Sequence, residues 1–221
     1  MRGTITFPFE DERWLHPGER EGGLAHVFDE VVDPAPLVVW LHGTNDRGPL
    51  HRGLGAKGFD LRTLVPTSFL VAGPSQTRDA ASGSRLWTAF DLTRFVEAVE
   101  QATGRAIDRT RVTLVGHSGA GCNVAGGLLS PLGAVRPCSV VAIDTCLDAR
   151  FGARFADLAR EVPVHVFRQT RVWPREPRAF EETFGGPVVA LDVPGDNPHD
   201  DIVPIALARV LSGAVEELPP D

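Results

Sequence analysis

Between Val112 and Leu129 the chain reads VTLVGHSGAGCNVAGGLL. An apolar run enters, a turn of Gly, His, Ser and Ala follows, and a small-residue segment of helical potential leaves. In Gly116-His117-Ser118-Gly119-Ala120-Gly121 the neighbours of the serine are small enough for a strand and a helix to pass close together. A serine on such a strand-to-helix turn is held above the sheet as a nucleophile, and Ala120 stands where the pattern G-x-S-x-G has its last Gly. The following helix is expected to bring a positive end and free N–H groups to Ser118. A glycine-rich phosphate grip is the competing reading. A phosphate loop needs a Lys that this turn lacks, and a dinucleotide fingerprint belongs to the first βαβ unit. Pattern and context favour the nucleophile.

Other residues could complete such a site. LVVWLHGTND ends in His42-Gly43-Thr44-Asn45, and VPGDNPHDDIVPIAL carries His199 near the far end of the chain. A general base must lie within ~2.6–3.2 Å of the serine hydroxyl while a carboxylate holds its other nitrogen. His117 adjoins Ser118, so its side chain points away and it is not the base; His165 lies inside a strand and reads as a core residue. Asp144 closes the apolar run CSVVAID, where burial without a partner is costly. Asp196, His199, Asp200 and Asp201 also allow a metal reading, but the chain offers no further ligands at metal spacing.

These residues need a scaffold. Eight apolar runs read as strands: 3–9, 24–32, 36–42, 67–73, 111–116, 138–144, 162–168 and 187–193. The first two are separated by HPGEREGG and suit an antiparallel hairpin. The others alternate with helix-competent segments at 89–104, 122–130, 150–161 and 202–213. That alternation predicts an α/β domain, a mostly parallel sheet with helices on both faces, spanning 1–221 as one unit. Two long polar connections, 43–60 and 74–87, leave the C-terminal ends of strands, where ligands bind in open α/β sheets.

The elbow, the H-G segment and the late histidine, in this order, resemble the α/β-hydrolase superfamily from about Gly3 to Gly213. The resemblance implies about eight mostly parallel strands and, with only 145–161 after the sixth, no sizeable cap domain. It implies a catalytic triad of Ser118, His199 and an acid, and an oxyanion hole from the backbone amides of Thr44 and Gly119. The superfamily usually keeps its acid after the penultimate strand, where Glu176 is the sole carboxylate; some members carry it one strand earlier, where Asp144 and Asp148 lie. The order Ser118, Asp144, His199 makes Asp144 the first choice, Glu176 the second and Asp148 the third. The expected activity is a serine hydrolase, esterase- or amidase-like, acting through an acyl-enzyme without a cofactor. Acyltransfer, thioester cleavage and ligand binding without catalysis stay open.

Composition sets outer bounds. Twenty-two basic against 29 acidic residues give a net charge of −7, which argues against a nucleic-acid partner. No run reaches the ~18 apolar residues of a membrane helix, and no signal-like segment precedes the first charges. The three cysteines, Cys122, Cys138 and Cys146, show no short pairing and read as small core residues in a reducing, cytoplasmic compartment. The expected partner is a small-molecule or peptide-like acyl substrate; oligomeric state is open. Trp87, Phe59 and Leu50 are candidates for an apolar acyl pocket. Arg47, Arg52, Arg78, Arg85, Arg171 and Arg175 fit a solvated rim better than an anion site.

Overall fold

A run apolar at every position must be covered on both faces, so APLVVWL belongs at the centre of a sheet. In the computed structural model it does. The structure describes residues 2–9, 21–43, 54–56, 58–75, 87, 90–171 and 177–212. Strands β1 (Gly3–Phe7), β2 (Gly23–Val27) and β3 (Ala35–Leu41) come first. A small ribbon of β4 (Gly55–Ala56) and β5 (Phe59–Asp60) leads into a one-turn helix, α1 (Leu61–Leu64). Then come β6 (Leu70–Pro74), α2 (Leu92–Thr103), β7 (Ile107–His117), β8 (Ser139–Ile143) and α3 (Ala149–Ala159). The last four are β9 (Val164–Gln169), α4 (Arg178–Phe184), β10 (Val188–Leu191) and α5 (Pro198–Leu211).

Eight strands form one sheet in the order β1-β2-β6-β3-β7-β8-β9-β10. The six from β6 to β10 run parallel, and β2 pairs antiparallel with both β1 and β6. The hairpin reading of the first two strands is realised as the pairing of Gly3 with Val27 through Phe7 with Gly23.

Alternation along β3 divides the core. Leu37, Val39 and Leu41 face a layer that contains Phe95 and Val99 of α2, Phe155 of α3 and Phe180 of α4. Val38 and Trp40 face the layer of Leu61 from α1 and Ile202, Val203, Ala206 and Leu207 from α5. Helix α2 begins where the Asp91 carboxylate accepts the Arg94 N–H at 3.1 Å and stops at Gly104, whose φ of 66° favours glycine.

Three expectations are corrected. No α-helix follows the serine turn: Ser118–Gly121 and Gly127–Leu129 are short 3₁₀ turns. The Asn123 side chain accepts the Ala125 N–H at 3.1 Å, and Gly127 has a φ of 57°; both divert the backbone from an α-helix. His199 lies in the first turn of α5 rather than in a loop before it, because Pro198 starts the helix. Cys122 and Cys146 form a disulfide, so they are not isolated core thiols, while Cys138 is free and exposed. Among the described residues no helix is long and apolar enough to cross a membrane.

Candidate active site

Strand β7 delivers Ser118 with a φ of 53°, a left-handed backbone that a residue with a Cβ adopts at a cost of about 1–3 kcal/mol. The surroundings hold it there. Gly116 faces Leu128, and a Cβ on Gly116 would lie 2.6 Å from the Leu128 Cγ. Gly43, at the end of β3, stands directly against the serine. Ser118 is half-buried, and Gly119 behind it is buried.

The adjacent strand delivers the candidate acid. Asp144 directly follows β8 and has a φ of 47°. Its N–H donates to the Phe167 carbonyl at 2.8 Å, and its Oδ1 accepts the Gln169 N–H at 3.3 Å. Its Oδ2 lies 2.5 Å from His199 Nδ1. A carboxylate only accepts, so Nδ1 carries the proton and Nε2 is the lone-pair nitrogen of the neutral ring. The arrangement is the one that orients a base which takes a proton on its other nitrogen. Both side chains are largely shielded.

Of the alternative acids, Asp148 is spent elsewhere. Its Oδ1 accepts the Arg150 and Phe151 N–H groups at the start of α3. Glu176 lies outside the described residues, as do Thr44, Leu50, Arg47, Arg52, Arg78, Arg85 and Arg175. Arg171 is exposed and pairs with Asp192, so it stands on the solvated rim. The aromatic pocket reading is corrected too. Trp87 is fully buried and so does not line an open pocket, while Phe59, nearly buried, packs its ring against Trp40 and His117. Trp87 Nε1–H donates to the His42 carbonyl at 3.1 Å, next to Gly43.

Two further histidines, His42 and His117, are buried structural groups. His42 Nδ1 lies 2.6 Å from the Gly43 carbonyl, and burial lowers its pKa to about 4 against that hydrogen bond. His117 is likewise lowered to about 4, first by burial and then by the charge of His199. His117, His199 and Asp200 are the group of possible metal ligands among the described residues. His117 Nε2 lies 2.8 Å from the His199 carbonyl, so that nitrogen is protonated and offers no lone pair to a metal.

No protein-family model matches the sequence, and no curated protein matches it. Solved structures do. A ferulic acid esterase matches over 96% of this chain and 97% of its own, with 16% identity and a TM-score of 0.57. A lipase/esterase from Lactobacillus plantarum matches over 96% and 97%, with 13% identity and a TM-score of 0.56. An uncharacterised protein from Capnocytophaga ochracea matches over 98% of this chain at 16% identity and a TM-score of 0.56; this chain spans 65% of its length. With the eight-stranded sheet, these likenesses define the α/β-hydrolase fold, with no cap domain among the described residues.

Proposed function

We propose that the protein is a serine hydrolase that cleaves a carboxylic ester or amide through an acyl-enzyme on Ser118. One observation carries the reading: Asp144 Oδ2 bonds His199 Nδ1 at 2.5 Å in a fold whose elbow holds Ser118 at a φ of 53°. His199 Nε2 takes the Ser118 proton as Oγ attacks the acyl carbon. Asp144 keeps the imidazole in the required tautomer and stabilises the imidazolium. The backbone amides of Gly119 and Thr44 hold the oxyanion; one such donor is worth about 3–4 kcal/mol. His199 then protonates the leaving group and activates water, which releases the acid and restores Ser118. No cofactor enters, and the partner is a small-molecule or peptide-like acyl compound.

An ester is the first bond to test, because two structural neighbours are named as esterases. Acyltransfer and thioester cleavage use the same groups, and competing water against an alcohol acceptor separates them. The experiment is labelling with a fluorophosphonate probe, followed by turnover of p-nitrophenyl esters. Wild type labels and Ser118→Ala does not. A wild type that neither labels nor turns over esters, amides or thioesters makes the fold a ligand-binding scaffold here.

A further inference from the structure

His117 ends β7, and alternation along the strand turns its side chain away from Ser118. It is 4% exposed and packs under the site. Its ring stacks on Trp40 with centroids 6.1 Å apart and meets the edge of Phe59 at 6.3 Å. On the third side stands His199, with the ring centroids 4.4 Å apart. The Nε2 of His117 lies 2.8 Å from the backbone carbonyl of His199, and Asp200 Oδ1 is 3.8 Å from the same nitrogen. A carbonyl only accepts, so His117 is the donor.

Helical first turns are weakly held, because their N–H groups lack partners within the helix. His199 sits in such a turn. Asp144 fixes one end of its side chain, the ring nitrogen Nδ1. His117 fixes the other end, the backbone from which the ring hangs. The two contacts together hold both the backbone and the Nδ1 of His199. We propose that His117 is a positioning residue for His199: its Nε2–H holds the His199 carbonyl and so sets where the base's imidazole stands. The proposal rests on the reading of His199 as general base.

A histidine suits this place for a second reason. Burial and the neighbouring His199 keep His117 neutral, so it adds no positive charge beside the imidazolium that forms during turnover. A lysine or arginine there would repel it.

Three substitutions test the proposal. His117→Phe keeps the ring and loses the donor. His117→Asn keeps an amide, but one that ends at the Nδ1 position. His117→Gln carries an N–H at the Nε2 position. Active sites are counted by fluorophosphonate titration, and kcat per titrated site is measured with KM. The Phe and Asn variants should lose about 10- to 100-fold in kcat with little change in KM, and Gln should restore most of it. Equal losses in all three, or a kcat per site that is unchanged in Phe and Asn, overturn the proposal. The substrate-free protein gives a readout independent of activity: solvent exchange of the downfield His199 Nδ1 proton in NMR. Exchange should quicken in Phe and Asn and stay slow in Gln; exchange alike in all four proteins overturns the proposal. A wild type that fails to label defeats the hydrolase reading, while the exchange experiment still decides the role of His117.

Discussion

Gly43 leaves no room for a side chain beside Ser118: a Cβ there would lie 2.7 Å from the Ser118 Cβ and 3.2 Å from its Oγ. The His117 carbonyl, at 3.2 Å, closes the third side. Neither neighbour is a flexible chain end, so one of the two turns must move. Gly43→Ala should therefore displace the end of β3 from the elbow. The overpacking costs about 1–3 kcal/mol, or about 2–12 °C in thermal midpoint for a chain of this size. The larger effect falls on turnover, where misplacement by an ångström costs about 100-fold. Unchanged kcat/KM in Gly43→Ala would show that the two turns are not in contact.

The acid assignment separates by two substitutions with opposite readouts. Asp144→Asn keeps the shape but no longer forces the proton onto His199 Nδ1, and turnover should fall by as much as about 10,000-fold. Asp148→Ala removes only the cap of α3, so stability should drop by about 1 kcal/mol while turnover stays near wild type. Steady-state kinetics and a urea melt on each variant check both halves. A Glu176→Gln variant that loses turnover while Asp144→Asn retains it would move the acid to the penultimate strand.

Much of the fold is legible in the sequence because buried parallel strands announce themselves as unbroken apolar runs. All eight runs became strands, with ends shifted by a few residues. The pairing of Asp144 with His199 was legible because a carboxylate that closes such a run needs a partner. The segment after Ser118 misled: small residues fit a helix as well as a turn, and the Asn123 side-chain bond and the Gly127 backbone decide between them only in place. Trp87 misled in another way. An aromatic in a polar loop suggests a pocket wall, yet its indole N–H belongs to the His42 carbonyl. The partnership of Cys122 with Cys146 depends on the adjacency of β7 and β8, which no spacing rule reveals.

Acid should unfold the protein from an unusually high pH. His42 and His117 both have a folded pKa of about 4 against 6.5 for an ordinary imidazole, because burial disfavours their charged forms. Below pH 6.5 the unfolded chain takes up these protons and the folded chain does not. Stability is thus complete above 6.5 and falls as the pH drops toward about 4, by up to ~2.7 kcal/mol per pH unit for two protons. Half-buried His26 is lowered too and acts in the same direction. Urea unfolding at pH 7 and pH 5 measures the slope, and His42→Gln should reduce it by about one proton. Equal stability at the two pH values would mean that these imidazoles are not buried neutral.

The Cys122–Cys146 crosslink joins the two segments that carry Ser118 and Asp144. Cys122 directly follows the Ser118–Gly121 turn, and Cys146 is two residues beyond Asp144. The segments already touch: a Cβ on Gly121 would stand 2.7 Å from the Thr145 Cβ. With a sequence separation of 24, closing the loop removes chain entropy from the unfolded state, worth about 3 kcal/mol. The double variant Cys122→Ser/Cys146→Ser should melt about 6–12 °C lower. It should also lose turnover before it unfolds, since the Asp144 loop is then held to the Ser118 turn by packing alone. Thiol titration of the denatured protein tests the crosslink itself: one thiol, Cys138, should react before reduction and all three cysteines after it. Such bonds survive where glutathione does not reduce them, so the titration must start from protein purified without reductant. Three reactive thiols in that material would remove the crosslink, and with it the expected change in melting temperature.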